Sequence, residues 1–110
     1  AGTDVATVRT EGIEFPHQRY LNNIVRQIAV RFKPENPNSP LRAEVFFLIR
    51  RDGSIDAISL RTRSGNYAFD LDALGAVEAA GNAGAFGPLP EAYQQDVLPV
   101  IFSFVPRLIQ

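Results

Sequence analysis

Two β-prone runs separated by Asp52-Gly53 constrain this chain more than any other stretch of it. In "AEVFFLIRRDGSIDAISL", Ala43 to Leu60, the dipeptide suits the positive φ angles of a tight hairpin turn, so the flanking runs predict an antiparallel pair. Strict alternation sends Ala43, Val45, Phe47 and Ile49 to one face and Glu44, Phe46, Leu48 and Arg50 to the other. Phe46 and Leu48 leave that second face partly apolar, which calls for cover by another segment of the chain or by a partner.

The remaining elements follow from period and punctuation. Leu21, Ile24, Val25, Ile28 and Phe32 recur at helical spacing behind Pro16, predicting an amphipathic helix of about four turns with the proline in its first turn. Pro34, Pro37 and Pro40 end it and make a loop. After the hairpin, Ser64-Gly65-Asn66 breaks the strand and supplies capping side chains. The second helix then lines up Phe69, Ala73, Ala76, Val77 and Ala80, with Asp70 and Asp72 at its positive end. Gly81-Asn82 and Gly84 stop it. The last strand alternates Leu98, Val100, Phe102 and Phe104 against Val97, Pro99, Ile101, Ser103 and Val105.

The expected fold is therefore α+β, in the order α-β-β-α-β, with a three-stranded antiparallel or mixed sheet and two helices packed on one face. Residues 1–14 form an N-terminal segment, a covering piece or an extra strand, and residues 15–110 form the domain. The last strand is expected beside the first, with its other side an open edge from Val97 to Val105. Pro99 suits an edge because it cannot donate to a ladder.

Composition narrows the chemistry. A chain of 110 residues supports one domain, and its net charge of -1 gives no general field for nucleic acid or anionic membranes. Cysteine is absent, which removes disulfides, thiolate nucleophiles and cysteine metal sites. The chain also lacks methionine and any apolar run of roughly 18 residues, so it reads as a piece of a longer protein whose anchor lies elsewhere. His17 is the sole histidine and sits at a helix start, where a surface or capping role outranks catalysis. The acid pairs Glu11/Glu14, Asp52/Asp56 and Asp70/Asp72 read as a solvated segment, a turn and a helix start. "GNAGAFG", Gly81 to Gly87, follows a helix and lacks the lysine of a phosphate loop. No enzyme activity, cofactor or metal is expected.

The order of the motifs resembles the C-terminal domains of the TonB and TolA proteins. The likeness lies in "FPHQRYLNNIVRQI" (Phe15 to Ile28), "AEVFFLIRRDGSI" (Ala43 to Ile55), "SGNYAFDLDALGAV" (Ser64 to Val77), "PLP" (Pro88 to Pro90) and "VIFSF" (Val100 to Phe104), and covers roughly residues 13 to 105. It implies a periplasmic protein–protein interaction domain whose parent chain is anchored in the bacterial inner membrane and engages a motor complex there through its N-terminal region. It also implies capture of an extended segment of an outer-membrane transporter or a periplasmic Tol-like protein by β-strand addition. Carried over by position, the partner-binding residues are Val97, Leu98, Pro99, Val100, Ile101, Phe102, Ser103, Phe104 and Val105, with Phe46 and Leu48 on the outer face. The apolar outer face, the Phe86-Gly87-Pro88 element and Pro99 depart from the TonB pattern and leave the TonB and TolA branches open.

Two rival readings use the same surfaces. One is a homodimer formed by edge pairing or by burial of the outer face. The other is a single-stranded nucleic-acid sheet, with exposed phenylalanines stacking bases and Arg42, Arg50, Arg51, Arg61 and Arg63 tracking phosphates, which the slightly acidic balance disfavours.

Overall fold

The computed structural model describes residues 6–34 and 40–105. The chain runs β1 (Ala6–Thr10), α1 (Gln18–Ala29), β2 (Ala43–Arg50), β3 (Ile55–Thr62), α2 (Tyr67–Asn82) and β4 (Val97–Phe104). The four strands make one antiparallel sheet in the order β1-β4-β2-β3. The α+β class and the two helices match the sequence expectation, but the sheet has four strands where three were expected. The additional strand comes from the N-terminal segment.

That strand also corrects the placement of the expected edge. β4 pairs with β2 on one side and with β1 on the other, so Val97 to Phe104 is an interior strand and not an open edge. Its apolar alternation fits this position: Leu98, Val100 and Phe102 are fully buried and Phe104 is 1% exposed. They meet Ala43, Val45, Phe47 and Ile49 of β2 on the core face, under Ile24, Val25 and Ile28 of α1 and Phe69, Ala73, Val77 and Ala80 of α2. Burial of side chains of this size stabilises by about 1.5–3 kcal/mol each, which fixes both the face and the register of the central strands.

The helices begin and end by local chemistry. Asn66 caps α2, its side chain accepting from the Phe69 amide at 2.9 Å. At the other end Gly84, with φ +66°, closes a Schellman motif in which the Ala85 amide donates to the Ala80 carbonyl and the Gly84 amide to that of Gly81. α1 starts at Gln18 behind His17, so Pro16 lies just ahead of the helix, not inside its first turn, and the helix spans 12 residues.

The hairpin turn is one residue longer than expected. The Gly53 amide donates to the Arg50 carbonyl and the Arg50 amide to that of Ser54. Gly53 alone of the loop has positive φ (+92°), the three-residue turn with a glycine bulge. The tip docks on the segment before β4. The Leu89 amide donates to the Arg51 carbonyl, and the Arg51 side chain donates to the carbonyls of Pro90, Tyr93 and Gln95. From α1, Tyr20 and Asn23 donate to the carbonyls of Gly87 and Ala85. Burial pushes the Tyr20 hydroxyl up to about 12. The glycine- and proline-rich stretch is thus a clamped structural connection.

Candidate partner interface

β1 lies along β4 in the register Thr7↔Ser103, Val8↔Phe102, Arg9↔Ile101 and Thr10↔Val100, and the Glu11 amide donates to the Pro99 carbonyl at 3.1 Å. In an extended strand the N–H and C=O of one residue point to the same side. The bond from Glu11 therefore shows that Pro99 turns its missing donor towards β1, while the ladder to β2 stays whole. It follows that Ile101 and Ser103 address β1 with their main-chain groups, and that Ala6, Val8 and Thr10 turn theirs outward along the free side of β1. The ladder ends at Pro99, and Gly12, with φ +72°, takes the chain away.

The opposite edge is built differently. Ala57 of β3 has φ +55°, and the Asp56 carboxylate accepts from its amide. The β2–β3 register shifts twice, between Glu44/Val45 and between Phe46/Leu48. Bulges and charges of this kind discourage pairing with another strand. Among the described residues, the regular edge of the sheet is thus the β1 side.

The outer face is closed by polar side chains. Glu44 is 8% exposed and accepts from Ser103 Oγ and Thr62 Oγ1 at 3.1 Å, from Arg42 at 3.3 Å and from Arg9 at 3.4 Å, so its carboxylate joins all four strands. Burial is the largest single influence on this group and pushes its carboxyl up. The bonds from Ser103, Thr62 and Arg9, with the Arg9 charge, outweigh it and hold the carboxyl below its ordinary range. Arg61 lays its guanidinium 5.1 Å from the Phe46 ring centre and grips both oxygens of Glu11 at 2.8 Å. That bidentate pair holds the Glu11 carboxyl below its ordinary range and spans from β3 to the end of β1.

The residues expected at the interface are thus divided. Leu98, Val100, Phe102 and Phe104 belong to the core, and Ile101 and Ser103 are buried on the outer face. Pro99, Val105, Phe46 and Leu48 are half-buried, while Val97 is 38% exposed. What these β4 residues can offer a partner is main chain, not side chains. Arg9, Glu11 and Glu44 were not singled out as interface residues from sequence, and Arg61 only as one of the five arginines of the nucleic-acid reading. Glu44 stood in view as an acid within an apolar strand, but Glu11 and Arg61 lie 50 residues apart and carry no local signal.

His17 borders two shallow depressions of about 590 and 430 Å³, with its ring 4.8 Å from that of Phe15. Among the described residues no group of three or more acids and histidines converges on a point.

The described residues thus form a small antiparallel sheet with both helices on one face and its regular edge on the far side of the last strand. The family model for the TonB C terminal matches residues 17–104, and the chain belongs to that family. Comparison with curated proteins and with solved structures found no match. The match begins after β1, so the strand lying on β4 is outside the matched residues. No described helix is long and apolar enough to cross a membrane.

Proposed function

We propose that this chain is the periplasmic, partner-holding domain of a TonB- or TolA-like energy transducer, acting through noncovalent grip and without catalysis of its own. Its parent chain is held in the inner membrane and linked to the motor complex there. The partner is an outer-membrane transporter or a periplasmic Tol-like protein, whose extended segment joins the sheet by strand addition on the β1 side. The observation that carries this reading is the contrast between edges: the β1 side is regular, while β3 is bulged and kinked at Ala57. Amide-resolved NMR of the domain, titrated with N-terminal peptides of such transporters and Tol-like proteins, tests it. Expected are shifts confined to Ala6–Thr10 and Val97–Phe104 with altered protection of amides there. Shifts centred on Ile55–Thr62, or none with any peptide, would overturn the reading.

A further inference from the structure

The sheet already grips an extended segment along β4, and that segment is the chain's own β1. Building on the strand-capture reading above, we infer that β1 is the resident occupant of the receiving edge and that a partner strand replaces it on β4. The accepted segment then repeats β1's own pattern, an apolar residue followed at once by a cation and, two places later, by a carboxylate.

The hold on β1 is light. It has five residues, and Val8 is half-buried at the margin of the core. Its side-chain anchors are the Arg9–Glu44 pair and the Glu11–Arg61 pair, in which the Arg9, Glu11 and Arg61 side chains are 57%, 42% and 43% exposed. Exposed pairs of this kind add little. A short edge strand so held opens as a unit of low local stability. Its departure leaves the layer of α1, α2 and β2–β4 intact, and Glu44 keeps Ser103, Thr62 and Arg42.

What remains on the domain is a reading frame. Once β1 is away, Ile101 and Ser103 present free main-chain groups, Glu44 presents a carboxylate and Arg61 a guanidinium. Pro99 fixes the register, because the incoming residue opposite it can donate to the Pro99 carbonyl but receives nothing in return. In that register the residue opposite Ile101 reaches Glu44, which selects a cation, and the residue opposite Pro99 reaches Arg61, which selects an acid. Charge complementarity of this sort sets register and specificity more than affinity.

The test uses the full chain and the peptide ATVRTEG, which copies residues 6–12. In the R9A/E11A variant the resident strand is disarmed while the peptide keeps both charges. Exchange then predicts binding tightened roughly fivefold over the unaltered chain, with β1 amides losing protection as peptide binds. Equal affinity for the two chains, or β1 amides that stay protected in the complex, would show a fifth strand added outside β1 and overturn this inference while sparing strand capture. The chain has no native cysteine, so R9C/I101C gives a second arm: oxidation should abolish binding and reduction restore it, and binding unaffected by oxidation overturns exchange. Without peptide, the Ile101 and Ser103 amides should exchange at least roughly tenfold faster than those of Val100 and Phe102, which face β2. Equal protection would mean that β1 does not open. Failure of the disarmed chain to bind this peptide or any transporter or Tol-like peptide would overturn both readings.

Discussion

A carboxylate inside a sheet is tolerated only when its lone pairs are filled, and Glu44 fills them from the three other strands and from Arg42 just ahead of its own. Glu44→Ala would leave the hydroxyls of Ser103 and Thr62 without their acceptor and should destabilise the domain by about 2 kcal/mol, while Glu44→Gln, which keeps an acceptor, should cost about half as much. Chemical denaturation at neutral pH measures both, and a Glu44→Ala domain as stable as the unaltered one would deny the network any structural weight. The pH dependence has a definite sign. A carboxyl held below its ordinary value of 4.5 in the folded state stabilises fully above that value, and the gain disappears as pH falls through the folded pKa. Glu44→Gln should flatten the acid limb of the stability curve below about pH 4.5. Sequence displayed Glu44 on the outer face beside Phe46, but its partners come from Arg9, Thr62 and Ser103, and no local pattern joins positions so far apart. The cover over Phe46 was hidden for the same reason: it is Arg61, steered by Glu11.

Elements whose signals are local were readable. The apolar stripe of α2, its Asn66 cap and its glycine stop all lie within one stretch of chain, as does the alternation of β2 and β4. The hairpin was readable as a hairpin, whereas its loop length was not, since Asp-Gly serves both the two-residue turn and the glycine-bulge turn. The tip also depends on a distant neighbour. A Cβ added at Gly53 would sit 2.4 Å from the Gly87 carbonyl oxygen, a main-chain atom fixed by Tyr20 and the Arg51 clamp. Gly65 has nearly the same φ, +94° against +92°, with nothing within 4 Å of the corresponding position. Gly65→Ala should therefore cost about 1 kcal/mol, the strain of the left-handed backbone alone. Gly53→Ala should cost about 2–4 kcal/mol, because the tip must also leave its seat. Denaturant midpoints of the two variants measured side by side isolate the contact, and equal losses would mean that the tip is not seated on Gly87.

At the scale of the molecule, strand order is the quantity that period cannot convey. β1 is five residues with one strong apolar position, Val8, and its pairing with β4 closes a loop of some ninety residues, so nothing near it in the chain announces the contact. The sequence offered residues 1–14 as a covering piece or an extra strand but gave that strand no pairing partner, which left β4 as an edge and the outer face as an open apolar patch. With β1 present, Ile101 is 2% exposed and Phe46 lies under Arg61. Among the described residues, the large apolar side chains that remain exposed, Val30, Tyr67, Leu71 and Val97, sit at the end of α1, on the first turns of α2 and at the start of β4. Tyr67 and Leu71 sit one turn apart on α2 while Val30 and Val97 lie on other elements, and so small a set of exposed apolar positions does not by itself drive association. The isolated domain should consequently sediment as a 12.1 kDa monomer at every concentration tested. A mass that doubles with concentration would revive the homodimer. The oxidised R9C/I101C chain then locates its interface: a dimer that survives the crosslink uses a face, while one that the crosslink abolishes exchanges β1 between copies, each strand filling its neighbour's edge.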